Sequence, residues 1–143
     1  MNTRDMAVDY IKRGRRCLTE AENAYNDADY PMAVRRSQEC VEMSLKSILR
    51  ALGIEYPRKH DVSDALDLIK ANLPEWFSAR IYEVKEISRD LARKRGPAMY
   101  GYEAELKPSS SIFDEEDAAK AVNSAKKVFE LCNRFILEVL GGY

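Results

Sequence analysis

From Asp114 onward, Ala118, Ala121, Val122, Ala125, Val128, Phe129, Cys132, Ile136, Val139 and Leu140 fall on one side of a helix that Gly141-Gly142 would end. A helix of that length with one apolar side is stable in water only when that side is covered. The same three-to-four spacing recurs elsewhere, so helices must cover helices. Ala7, Tyr10, Ile11, Gly14, Cys17, Leu18, Ala21, Ala24, Tyr25 and Ala28 line one side of a helix from about Thr3 to Asp27. Pro31 suits a first helical turn, and Val34, Val41, Leu45, Ile48, Leu49 and Leu52 then share an arc before Gly53. Ile54 to His60, with Pro57, reads as a loop. Asp61, with Asp64 three residues on, resembles the cap of a short helix carrying Val62, Leu66, Ile69 and Leu73. Pro74 opens a helix burying Phe77, Ile81, Val84, Ile87 and Leu91, which should stop at Arg95-Gly96-Pro97. No stretch alternates as a strand would. The expectation is an all-α, up-and-down helical bundle of four long helices plus one short helix, forming a single domain over residues 1–143.

Composition narrows the function classes. Hydrophobic residues make up 45% of the chain and charged ones 33%, which suits a folded, well-solvated domain and excludes a disordered one. The longest stretch without formal charge, Gly96 to Tyr102, has seven residues, far short of the about 20 apolar ones that span a bilayer. Met1-Asn2-Thr3-Arg4-Asp5 precedes no apolar leader segment, so a cytoplasmic protein is expected. Cys17, Cys40 and Cys132 lie in or beside apolar stripes with no CxxC among them, and read as small core residues. Neither GxxxxGK[ST] nor HExxH occurs, and no metal or cofactor is implied.

Candidate chemistry gathers at Gly96 to Ile112, the one long irregular segment, and at the helix before it. On that helix Arg95 has the same angular position as Phe77, in the middle of the apolar face, whereas Arg93 points away. A guanidinium keeps its charge, so an inward Arg95 needs a carboxylate, carbonyl groups or a ligand phosphate. On the second long helix Gln38 falls inside the apolar arc, Glu42 on its edge, and Lys46 one turn further on, so the three border a cleft or form a surface pair. His60, the sole imidazole, reads as structural at a helix entry. Lys12-Arg13-Gly14-Arg15-Arg16 reads as a solvated face, because its side chains fan around the outer half of a helix.

These residues fit a known pattern. The run Ser37-Gln38-Glu39-Cys40-Val41-Glu42-Met43-Ser44-Leu45-Lys46 resembles the glutamine-containing stretch ending in Glu-x-x-x-Lys of the HEPN family (higher eukaryotes and prokaryotes nucleotide-binding). Gly53, then Pro57, then His60-Asp61-Val62 is similar to that family's Gly, Pro, His-Asp-Leu sequence. Arg95, ending a helix with aromatic residues after it, is similar to its arginine. The resemblance implies a helical bundle that binds nucleotide or RNA, a homodimer whose protomers share one cleft, and a partnership with a minimal nucleotidyltransferase in a toxin–antitoxin system.

In the family's ribonuclease branch the arginine is followed, after four to six intervening residues, by histidine. In a related branch His-x-Tyr follows, and its tyrosine receives AMP. Here Tyr100 stands in the histidine's place and Tyr102 where the modified tyrosine would lie. A phenol, with an ordinary pKa of about 10, is a poor base at neutral pH. The resemblance therefore implies phosphate binding at Arg95 with Tyr100, Tyr102, Gln38 and Lys46. Metal-independent RNA cleavage by Arg95 with Tyr100 or Glu42 is an alternative, and a structural adaptor is another.

Overall fold

The computed structural model describes residues 3–56 and 58–143; Pro57 of the second motif lies outside them. Among the described residues six α-helices occur, in the order α1 (Thr3–Asn26), α2 (Tyr30–Ala51), α3 (Ser63–Ile69), α4 (Glu75–Ser78), α5 (Ile81–Tyr100) and α6 (Glu115–Leu140). Short 3-10 turns at Lys70–Asn72, Glu103–Glu105 and Ser109–Ser111 complete the pattern. The fold is all-α, and no strand forms among the described residues; one isolated bridge pairs Tyr102 with Lys107. No described helix is long and apolar enough to cross a membrane.

α2 is the central element. It packs against α1, α6 and α5, whereas α5 and α6 scarcely meet. Its start is set by Asp29, whose carboxylate accepts from the Met32 amide at 3.3 Å, followed by Pro31 in the first turn. α1 approaches it closely because Gly14 has no side chain, and a Cβ there would lie 2.7 Å from Ser44 Oγ. Ser47 Oγ donates to the Ala7 carbonyl at 2.7 Å, which pins the same two helices together. α6 opens on a capping box in which Asp114 and Asp117 bond each other's backbone amides at 2.9 and 3.0 Å. It closes on Gly141 at φ +70°.

Three local expectations are corrected. The helix expected from Pro74 to Arg95 is broken at Ala79-Arg80, giving the single turn of α4 before α5 begins. α5 then runs through Gly96-Pro97 to Tyr100. A proline disfavours helical backbone in the preceding residue largely through that residue's Cβ, and glycine has none. The stop is Gly101, at φ +68°, where a Cβ would lie 2.1 Å from the Lys107 carbonyl. The irregular segment is correspondingly shorter than expected, beginning at Gly101. Finally, Asp61 precedes the α3 cap residue, Val62, instead of being it. Its carboxylate accepts from the Ser63 amide at 2.9 Å and from Ser88 Oγ at 2.7 Å, tying the entry of α3 to α5.

The core is where the apolar spacing puts it. Cys40 and Cys132 are fully buried within it and Cys17 lies at its margin. Tyr25, on the apolar side of α1, donates to Glu115 at 3.1 Å.

Candidate functional site

The buried stripe of α5 is Ile81, Val84, Ser88, Leu91 and Ala98. Arg95 continues its spacing between the last two, so helix geometry turns a guanidinium toward α2. Its side chain is 19% exposed, and NH1 donates to Gln38 Oε1 at 2.6 Å. The nearest carboxylate oxygen, Glu39 Oε2, is 3.7 Å away. Glu39 is shared, since Arg36 NH1 lies 2.5 Å from its Oε1 and Arg35 Nε 3.9 Å from its Oε2.

Gln38 carries the arrangement inward. With its oxygen taken by Arg95, its amide nitrogen donates to Glu42 Oε1 at 3.0 Å and to the His60 carbonyl at 3.4 Å. Glu42 Oε1 also meets His60 Nδ1 at 2.9 Å, and Glu42 Oε2 accepts from Lys46 Nζ at 2.8 Å. The Glu42 side chain is only 7% exposed. Burial pushes its carboxyl pKa up, but hydrogen bonds from Lys46, Gln38 and His60 outweigh burial and hold it below the ordinary value. Lys46 and Arg50 also stack over the Tyr56 ring, at 5.5 and 5.1 Å from its centre.

Arg95 also shapes its surroundings through its backbone. Arg35 NH1 donates to the Arg95 carbonyl at 2.8 Å, capping a peptide group beside Pro97. Burial first, and then the Arg95 charge, push the Arg35 pKa down from its ordinary value. Two guanidiniums are therefore held side by side, with one carboxylate between them and Arg36.

In front of Arg95 lies a groove of about 620 Å³ along the α1–α2 seam. Its α2 wall is Arg36, Glu39, Glu42 and Met43, and its α1 wall is Asp9, Lys12, Arg13, Arg16, Cys17 and Glu20. The reading of Lys12 to Arg16 as a solvated face holds, since all four basic side chains are exposed, and Lys12, Arg13 and Arg16 also line the groove. Positions 9, 12, 13, 16 and 20 recur within about 100° of helix surface and face the groove, whereas Arg15 turns to the other side, stacking on Phe129 at 5.1 Å and donating to Tyr143 at 2.9 Å. The signal in the sequence was that spacing, hidden by the contiguity of the basic run. Cys17 contributes a thiol whose pKa burial, with Glu39 and Glu20 nearby, pushes up to about 11.

Of the sequence candidates, Arg95, Gln38, Glu42 and Lys46 form one connected network, and His60 joins it. Tyr100 and Tyr102 do not. Tyr100, five residues after Arg95, lies about 140° round the same helix and is 65% exposed. Tyr102 is 45% exposed, with its amide and carbonyl both bonded to Lys107. None of the network's hydrogen bonds reaches either ring. Among the described residues no three metal-ligating side chains converge.

Comparison with known proteins identifies the fold. The family model described as "HEPN domain" matches residues 7–135. A Methanocaldococcus jannaschii protein named "Putative toxin MJ1304" is 28% identical over 138 residues, which cover 92% of this chain and 89% of that one. The crystal structure of ST0689, described as an archaeal HEPN homologue, superposes with a TM-score of 0.69 at 27% identity, covering 91% of this chain and 97% of that one. TT1696 from Thermus thermophilus shares the fold at a TM-score of 0.74 and 24% identity, covering 94% of this chain and 98% of that one.

Proposed function

The chain belongs to the HEPN domain family, and from that premise we propose that it is a cytoplasmic nucleotide- or RNA-binding protein of toxin–antitoxin type whose phosphate site is Arg95. The observation that carries this reading is the state of Arg95. Its hydrogen-bond partner is a neutral amide, its nearest carboxylate is 3.7 Å away and shared with two other arginines, and it lines an open groove. A guanidinium whose charge is not matched by a carboxylate of its own is suited to a phosphate. The ion pair that Arg95 makes with Glu39 is long and divided among three arginines, which leaves charge for a ligand. The name of the Methanocaldococcus relative supports the toxin side of the proposal.

The partner we propose is a minimal nucleotidyltransferase, and the assembly a homodimer in which two Arg95 grooves adjoin. Tyr102 is the residue we assign to modification by that partner. The test of the phosphate site is substitution on the two sides of α5. Arg95→Ala should weaken binding of AMP or single-stranded RNA by about 2 kcal/mol, because a phosphate loses its bidentate partner. Arg93→Ala, whose side chain pairs with Asp90 on the outer face, should change only the salt dependence. Equal losses in calorimetry would reject Arg95 as the phosphate site.

A second reading, metal-independent RNA cleavage, is favoured by the Glu42–His60 pair. Glu42 itself is ill suited as the base, since its two oxygens already accept three hydrogen bonds. It is suited to orient an imidazole. With Nδ1–H donating to Glu42, Nε2 of the His60 side chain, which is 57% exposed, carries the lone pair that would take a 2′-hydroxyl proton. The 2′-oxygen then bonds to phosphorus as the bond to the 5′-oxygen breaks, and water supplies the proton that oxygen needs. RNA cut in EDTA by wild type and spared by both His60→Gln and Arg95→Ala would favour this reading.

A further inference from the structure

We infer that the α1 wall of the groove is a second subsite, which tracks the backbone of a single-stranded nucleic acid leading away from Arg95. The inference rests on the Arg95 phosphate site and narrows its ligand from any nucleotide to a chain of several.

Three observations carry it. The groove extends along α1 from Asp9 to Glu20, a distance of about 16 Å at 1.5 Å per residue. A mononucleotide phosphate at Arg95 fills only one end, whereas stacked nucleotides at about 3.4 Å each would occupy the rest. Next, the carboxylates along that length are mostly matched. Asp9 pairs with Arg13 at 2.9 Å, Glu39 with Arg36 at 2.5 Å, and Glu42 with Lys46 at 2.8 Å. Lys12 and Arg16, by contrast, make no ion pair among the described residues. Their spacing is the third observation. They stand one helical turn apart on the same face, about 6 Å along the axis, and both line the groove. Sequence-independent binding of single strands uses this device, a line of cations tracking the backbone. Glu20 is the one groove carboxylate without an ion pair among the described residues, and it opposes phosphate at its end.

The experiment compares two probes by fluorescence anisotropy and competition, using the whole chain. One is a fluorescein-labelled 2′-O-methyl hexauridine, which has no 2′-hydroxyl to be cleaved. The other is AMP. Wild type should bind the hexamer at least about tenfold tighter than AMP. Lys12→Glu and Arg16→Glu should each weaken the hexamer about tenfold and flatten its salt dependence, while leaving AMP unchanged. Arg93→Glu, on the outer face of α5, should leave both probes unchanged, and circular dichroism should show equal helix content in every variant.

Equal affinity of wild type for hexamer and AMP would overturn the subsite, as would charge reversals that spare the hexamer or an equal loss from Arg93→Glu. Displacement of the hexamer by hexaglutamate at equal concentration would also overturn it, in favour of an acidic peptide. Failure of the underlying phosphate site would look different, because neither probe would then respond to Arg95→Ala.

Discussion

The two ends of the α5 seam are built by opposite means. Inside, Arg95, Gln38, Glu42 and Lys46 are positioned by one another, and Gln38 and Glu42 are 2% and 6% exposed. Past Tyr100, at the tip, Tyr102 and Leu106 are 45% and 90% exposed, and it is backbone that holds the tip in place. Tyr102 exchanges two hydrogen bonds with Lys107, Gly101 sits at φ +68° against the Lys107 carbonyl, and Leu106 adopts φ +55°. The inner region fixes side chains by partnering them, which suits a site that must receive a ligand in one geometry. The tip fixes a chain path and leaves Tyr102 and Leu106 exposed, which suits presentation to another macromolecule.

The comparison breaks most sharply at Glu42. Glu42→Ala leaves the ammonium of Lys46 and the amide of Gln38 without their buried acceptor, and should cost about 3 kcal/mol or more in urea unfolding. The pH dependence has a defined sign. A carboxyl held below its ordinary pKa in the folded state stabilises the fold above its unfolded pKa, and that contribution is lost as pH falls through the folded value. Wild type should therefore lose urea stability between about pH 5 and pH 3 by more than Glu42→Gln does. Parallel curves would show that the network contributes nothing as a charge cluster.

Much of this inner region was legible in the sequence, and the reasons are geometric. Apolar residues three and four apart marked the long helices, and Arg95 shares the period of Ile81, Val84, Ser88, Leu91 and Ala98. Gln38, Glu42 and Lys46 are one turn apart on one helix, so their neighbourhood follows from the helix alone. His60 was different. It meets Glu42 from a loop 18 residues away, and no periodicity relates a loop residue to a helix. The groove was hidden in another way, because two helices are needed to make it and the basic run of α1 divides between two faces. Pro97 misled through a rule that holds for most residues and fails after glycine. Tyr100 and Tyr102 were drawn to the site by the spacing of a motif, whereas the helix places Tyr100 about 140° from Arg95.

An intermediate effect is expected where the tip meets the helix. Gly101→Ala would set a Cβ 2.1 Å from the Lys107 carbonyl at a positive φ, so the Tyr102–Lys107 pairing must open. The cost should be about 1–2 kcal/mol, since the strain is local and can be relieved by releasing the tip. Amide exchange should speed up at Tyr102 and Lys107 and stay slow through Gln38 and Glu42. Loss of protection in both places would mean that tip and network are one cooperative unit.

The smallest effect on stability belongs to Tyr102, and it sharpens the comparison most. The Tyr102 ring takes no part in the network and is nearly half exposed, so Tyr102→Phe should change urea stability by less than about 0.5 kcal/mol. If the tip presents this phenol to a nucleotidyltransferase, wild type incubated with ATP, Mg²⁺ and a minimal nucleotidyltransferase from the same genome should gain the mass of AMP. In that step the phenol oxygen bonds to the α-phosphorus of ATP, pyrophosphate leaves, and the phenol proton passes to solvent. Tyr102→Phe should gain nothing, while Tyr100→Phe should still be modified, because Tyr100 belongs to the helix and not to the locked tip. Gly101→Ala then separates path from chemistry: it keeps the hydroxyl but loses the path, and should be modified slowly. Full modification of Gly101→Ala would show that the partner reads the tyrosine without the tip, and modification of Tyr100 in place of Tyr102 would move the acceptor to the end of α5.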